Sequence, residues 1–275
     1  MSDRSARIGG PLLLVAVLAV AVVIRGDTGL RLSDPDPGAS DALTAVLDAL
    51  PDEPTVLIGF DPDLGTYAEI RPTVRTLVAD LAARGSRLAF VSLTAEGRAL
   101  ALGELARLDR LGAGPAALRD LGFVPGAEAA LVALARTVAG DRALGDGEDI
   151  TDLEAVDLVL VIGGNDLGPR SWVEQVAPRI SAELPIVAVS PSVLLPEVLP
   201  YVESGQLAAL ISTPREGAAY RESVDLGPLA GWGEAEGPAA LAVLVGLLSA
   251  IGFLGTGVGS RVLGGLRSSR GRERA

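Results

Sequence analysis

Asp61, Asp63 and Asp166 are the carboxylates of this sequence whose placement most suggests chemistry. Each follows a short apolar run, TVLIGF at 55–60 for the first two and DLVLVI at 157–162 for the third. A set of this kind can hold a divalent metal or divide acid and base roles among its members. Small and hydroxylated residues stand in equivalent places: Ser92 at the end of the run at 87–93 with Thr94 just after it, and Gly163, Gly164 and Asn165 just before Asp166. Ser190 and Ser192 follow 185–189, and Ser212 and Thr213 follow 207–211. Asp61, Asp63, Ser92, Gly163, Gly164, Asn165, Asp166, Ser190 and Ser212 are therefore the candidate ligand-binding residues. The same residue types are what strand-to-helix turns and helix caps require. That plainer reading is the preferred one.

The residue types that are missing narrow the chemistry further. The chain has no histidine, lysine or cysteine, and all 23 basic residues are arginine. Without them there can be no Ser-His-Asp triad, Cys-His pair, Schiff-base lysine, Walker A lysine or His-ligated zinc. Catalysis would fall to Asp, Glu, Ser, Thr, Tyr or Arg alone, so no catalytic residue is assigned and an enzyme is the less favoured class. No cofactor is expected. The stretch after the first run is Phe60-Asp61-Pro62-Asp63-Leu64-Gly65, not G-x-G-x-x-G, and Gly163-Gly164 lacks a third glycine in register. The acidic loop 145–152 fails the EF-hand spacing because Ile150 stands where an oxygen ligand is needed. A solvated loop is expected there, and no metal.

The elements that must position these residues alternate along the chain. A Gly-, Pro- and Asp-rich linker at 26–39 precedes a short helix, for which Ser40 is read as the N-cap. Strands are expected at 55–60, 87–93, 121–124, 157–162, 185–189 and 207–211. Helices are expected between them, over about 67–81, 95–111, 127–138, 171–182 and 193–202. Apolar strands alternating with helices imply an α/β fold: a doubly wound, mostly parallel, Rossmann-like sheet over residues 40–225. In such sheets a ligand crevice lies beyond the carboxyl ends of the strands, where the candidate residues fall.

Both ends of the chain carry long uncharged segments. Residues 8–24 are 17 apolar residues bounded by Arg7 and Arg25. They span about 25 Å as a helix, enough for a ~30 Å bilayer core with snorkelling arginines. An Ala-Val-Ala at 19–21 resembles a signal-peptide cleavage site, but apolar sequence continues past it. The segment 1–25 is read as an uncleaved anchor. Residues 239–260 are 22 residues, apolar on every face. Trp232 lies before them, within a second linker at 226–238, and five arginines follow in a basic tail at 261–275. The positive-inside rule puts this tail in the cytoplasm and the central domain outside it, although Arg25 and Arg31 lie on the opposing side. Gly255 and Gly259 are spaced for close helix pairing, within a homo-oligomer or with a membrane-protein partner.

Charge is partitioned between these parts. Residues 26–237 hold 33 acidic residues against 15 arginines, a net of −18, within a chain of net −12. Mean hydropathy is nonetheless +0.41, because the two terminal segments raise it. An acidic domain of this kind is repelled by phosphate backbones, so no nucleic-acid partner is expected.

Several stretches together carry a resemblance. They are 56–67 (VLIGFDPDLGTY) running into 68–72 (AEIRP), 145–150 (GDGEDI), 201–210 (YVESGQLAAL) and 217–220 (GAAY). In these the chain resembles a family of uncharacterised prokaryotic membrane proteins with an anchor at each end and one α/β domain between them. The resemblance covers most of 40–225. It implies the architecture and supplies no functional residues. Three readings follow: a binding or scaffolding module held at a membrane, a ligand sensor coupled to the membrane helices, and a carboxylate- or metal-dependent extracytoplasmic enzyme. The first is preferred.

Overall fold

Five of the six sheet strands are apolar enough to be buried by the layers above and below them, and that property sets the architecture. A computed structural model describes residues 37–110, 112, 117–139 and 156–224. The sequence begins there with helix α1 (Pro37–Asp48), strand β1 (Thr55–Asp61), helix α2 (Leu64–Ala83) and strand β2 (Arg87–Ser92). Helix α3 (Ala95–Arg110), strand β3 (Leu118–Phe123), helix α4 (Glu128–Val138) and strand β4 (Leu158–Gly163) follow. Helix α5 (Pro169–Gln175), strand β5 (Ile186–Val189), helix α6 (Leu195–Glu203), strand β6 (Ala209–Ile211) and helix α7 (Pro214–Ser223) complete the series. All the pairings are parallel, in the order β3-β2-β1-β4-β5-β6. This is the strand order of the doubly wound Rossmann-like fold.

Side chains alternate across the sheet and build two cores. Val56, Ile58 and Phe60 of β1 point to one face, where α1, α2, α3 and α7 cover them through Leu43, Leu77, Leu108 and Tyr220. Leu57 points to the other, under α4, α5 and α6, with Leu131, Trp172 and Val198. Strands β1, β4 and β5 are buried along their whole length, as a central parallel strand must be. β3 is half-exposed because it forms one edge of the sheet.

Gly59 is fixed by packing. A Cβ there would sit 2.3 Å from Cζ2 of Trp172, whose side chain is completely buried against the strand. The largest side chain of this core therefore requires the smallest residue beneath it.

Several elements differ from the sequence expectation, and local chemistry explains each. α1 starts at Pro37, which suits a first helical turn because its missing N–H has no intrahelical partner there. Ser40 is consequently buried inside the helix and is not its cap. The helix expected over 171–182 stops at Gln175 and continues only as a short 3-10 turn, Ala177–Arg179. Pro178 supplies no N–H to the helical ladder and crowds the carbonyl four residues earlier. β6 has three residues because Leu207 donates its N–H to the Tyr201 carbonyl, outside the sheet. The loop at 145–152 and the terminal segments 8–24 and 239–260 lie outside the described residues. No described helix is long and apolar enough to cross a membrane.

Gly59→Ala is expected to destabilise the domain by about 1–3 kcal/mol through overpacking. Adding Trp172→Leu should recover part of that loss, because the new methyl then fills vacated space. Urea denaturation of the two single variants and the double variant measures the coupling, and strict additivity would contradict the contact.

Candidate functional site

The strand order reverses between β1 and β4, so the crevice of this fold belongs at the carboxyl ends of those two strands. Asp61 closes β1 and is 1% exposed. Its carboxylate turns into the loop after β2 and away from solvent. There it accepts hydrogen bonds from the Leu93 N–H (2.9 Å), the Thr94 N–H (2.8 Å) and the Thr94 hydroxyl (2.8 Å). Burial raises its pKa above the ordinary carboxyl value, against the opposing pull of the Thr94 hydroxyl and the two backbone N–H groups. Ser92 is also buried and donates to the Phe60 carbonyl at 3.0 Å. Gly97, in the first turn of α3, presses on the same place: a Cβ there would lie 2.4 Å from the Phe60 oxygen.

The other bank of the crevice is equally occupied. Asp63 caps α2 by accepting from the Gly65 N–H at 2.6 Å. The Leu64 N–H donates to the Glu96 carboxylate, and the Thr66 and Tyr67 N–H groups donate to the Asp63 carbonyl. All four donors of the first turn of α2 are thus taken. In a dinucleotide fold those donors would hold a phosphate, but here two carboxylates stand in front of them. Gly164 then covers the turn, since a Cβ on it would be 2.7 Å from the Thr66 hydroxyl and 2.9 Å from the Asp63 nitrogen. Asn165 donates from its side-chain amide to the Asp61 carbonyl at 3.0 Å and accepts from the Leu167 N–H at 2.9 Å. Gly163 packs against Gly168 so closely that a Cβ would approach to 2.5 Å.

The two outer strands follow the same pattern. Ser190 and Ser212 are buried with their hydroxyls 3.4 Å apart, and Ser212 also donates to the Pro191 carbonyl. Glu216 receives the Ser212 and Thr213 N–H groups in a capping box that starts α7. Of the nine candidate residues, Asp61, Ser92, Gly163, Gly164, Asn165, Ser190 and Ser212 are all spent on joining loops to strand ends. Asp63 is a helix cap. Asp166 alone is exposed with its carboxylate in no described hydrogen bond. Asp61, Asp63 and Asp166 therefore do not converge. Among the described residues no three acidic side chains are placed to share a metal ion.

Open depressions occur at the opposite edge of the sheet. One of about 380 Å³ lies beside Leu47, Pro54 and Arg84, ahead of β1 and β2. Another of about 380 Å³ lies beside Ile180, Leu184 and Gln206, ahead of β5 and β6.

Sequence reasoning missed Glu69 and Glu96, which pin the loops of the carboxyl edge. Glu69 accepts from the Ser192 N–H and hydroxyl, at 3.0 and 2.6 Å. No local signal marks either residue, because each acts on a partner far away in the chain. The capping box was available as Thr213-Pro-Arg-Glu216, a Thr followed three residues later by Glu. No family model matches this chain, and neither does any curated protein.

Asp61→Ala should cost about 3 kcal/mol, since it strands buried donors at Leu93 and Thr94. Asp61→Asn keeps an acceptor and should cost less. The native pKa is raised, so the folded state holds the proton more tightly than the unfolded chain. Stability from this group is full below the ordinary carboxyl pKa and is lost as pH rises through the native one. The parent should therefore gain on Asp61→Asn as pH falls through that window. Urea denaturation across acidic pH tests this, and the opposite slope would contradict it.

Proposed function

We propose that this chain is a membrane-anchored, non-catalytic binding or scaffolding module. The observation that carries the reading is the closed carboxyl edge. The place where this fold takes its ligands is filled by the protein's own hydrogen bonds, from Asp61 to Asn165. What such an edge can offer a partner is its surface. The absence of histidine, lysine and cysteine from the sequence points the same way.

Tethering at both ends is part of the proposal. Residues 8–24 and 239–260 would be the two spans, with the domain outside the cytoplasm and the tail 261–275 within it. Pairing through Gly255 and Gly259 would join copies of the chain or a membrane-protein partner. The way the domain's ends meet supports two tethers in one membrane. α1, which leads in, packs against α7, which leads out. Tyr220 of α7 donates to Asp80 of α2 at 2.7 Å, and Arg84 bridges Asp80 to Asp48 of α1. With both tethers in place the architecture would be that of the uncharacterised membrane family the sequence resembles, and membership of it is part of what we propose.

A ligand sensor is the second reading, and one observation favours it. α2 runs from the closed edge at Asp63 to the Asp80–Tyr220 tie, so it links the edge with α1 and α7, the first and last described helices. An enzyme built on Asp61, Asp63 and Asp166 has no such support, because Asp61 is bound into the loop after β2, Asp63 caps α2 and the three carboxylates do not converge.

Reporter fusions at residue 275 and within 26–39 are expected to report opposite sides of the membrane, with the cytoplasmic signal at 275. A cytoplasmic signal from the linker would overturn the orientation. Affinity purification from solubilised membranes, with mass spectrometry, is expected to recover a stoichiometric partner. Recovering none under conditions that preserve known membrane complexes would sink the scaffold reading.

A further inference from the structure

Three arginines gather where α2 lies against α3, within a segment whose charge is otherwise strongly negative. Tyr67, Arg71 and Arg75 follow one another at four-residue steps along α2, so they form one stripe of that helix. Both ends of the stripe reach the same carboxylate of α3. Glu104 accepts from the Tyr67 hydroxyl at 3.1 Å and from Arg75 Nε and Nη2 at 3.1 and 3.0 Å. Arg71, between them, is therefore on the side of α2 that looks toward α3. Arg107 stands three residues past Glu104, on the same face of α3.

The charges of this group do not balance. Glu104 is 6% exposed, and Arg75 matches its charge in an ion pair at 3.0 Å. Tyr67 stays a neutral donor, because burial and then Glu104 push its phenol far above the ordinary value. Arg71 is exposed and forms no ion pair with a described carboxylate. Arg107 keeps a further interaction of its own, and what it adds here is charge. Its pKa is lowered by burial first and then by Arg75; Arg71 acts in the same direction, and Glu104 and Tyr67 oppose them. The cations thus crowd one another, although residues 26–237 carry a net of −18.

The other charged groups of the two helices are turned elsewhere. Asp63 caps α2, Glu69 holds Ser192, and Asp80 and Arg84 tie α2 to α1 and α7. Glu96 holds the Leu64 N–H, Arg98 pairs with Asp120, and Arg110 donates to the Ala106 carbonyl. Asp109 is exposed and lies two positions past Arg107, on the far side of α3.

We propose that Arg71 and Arg107, backed by the Arg75–Glu104 pair, bind a phosphate group, either of a free phosphate or of a lipid headgroup. Two guanidiniums on neighbouring helices present forked donors from two sides, as a tetrahedral oxyanion accepts them. Glu104 holds Arg75 in place, so the base of the site is ordered before a ligand arrives. The acidity of the domain does not forbid this. Exposed charges are screened over about 8 Å at physiological ionic strength, so one phosphate responds to the arginines around it. A polyanion would span the acidic surface as well.

The full chain in maltoside micelles is titrated with inorganic phosphate and with glycerol phosphate at constant ionic strength, and binding is followed by phosphorus NMR. Saturable binding is expected. Arg71→Gln should weaken it about tenfold, through loss of a hydrogen bond between charged groups. That side chain is exposed, so the urea midpoint should stay that of the parent. Arg136→Gln removes the same charge from α4, on the opposite face of the sheet, and should change affinity less than about twofold. Amide hydrogen exchange of α2 and α3 in nanodiscs separates the two sources. Slowing on adding phosphatidylglycerol to phosphatidylcholine, lost in Arg71→Gln, assigns the site to a headgroup. Slowing only on adding inorganic phosphate assigns it to a free phosphate. No saturable binding, equal weakening by Arg71→Gln and Arg136→Gln, or no slowing from either source would overturn the proposal.

Discussion

A carboxylate buried at the end of β1 is the constraint on which the carboxyl edge depends. Asp61 has almost no contact with water, so its oxygens must be met by protein donors or the group cannot be tolerated there. Leu93 and Thr94 meet them and so fix the path of the chain out of β2. That path places the first turn of α3 at Gly97 against the Phe60 carbonyl, and from the same turn Glu96 reaches the start of α2. The Asp61 carbonyl meanwhile receives Asn165 and Gly164, which sets the loop after β4. Three loops, those after β1, β2 and β4, are thus positioned from one residue.

The consequence is a fold whose usual binding place serves as structural joinery. A Rossmann-like sheet leaves a crevice where its strand order reverses, and its first helix there normally directs unpaired N–H groups toward an anion. Here those groups are satisfied by Asp63 and Glu96, and Gly164 packs over them. Fold alone would have suggested a nucleotide, whereas the side chains at the switch point are engaged with the protein's own loops. Function follows from the site and not from the fold that carries it.

The opposite end of the domain is organised by a second buried polar group. Tyr220 brings its hydroxyl to Asp80 within the core, and burial together with that carboxylate raises the phenol far above its ordinary pKa. It therefore remains a donor at every physiological pH. Through Arg84 the same carboxylate reaches Asp48 of α1, so the entering and leaving helices are fastened to α2 at one point. Gly217 allows α7 to lie this close, since a Cβ there would meet the Thr73 hydroxyl at 2.1 Å.

Much of the fold was legible in the residues because its signals are local. Apolar runs such as 55–60 and 157–162 specify buried strands, and the helical spacing of Tyr67, Ile70, Val74 and Leu77 specifies the helix between two of them. Less was legible where one proline, as at 178, or the pairing limit of a short edge strand, as in β6, decided an element's length. For the site, the sequence determined which residues stand at the strand ends and which chemistries are excluded by the missing histidine, lysine and cysteine. Only the tertiary structure decided what those residues do. Whether Asp61 faces solvent or a neighbouring loop depends on residues 32 and 33 positions away. The tasks of Glu69 and Glu96 depend on partners up to 123 positions away. Contacts of that range leave no pattern in a linear sequence, so Asp61 and Asp63, two of the three carboxylates that suggest a metal or catalytic set, become, once folded, pins of the loops at the crevice.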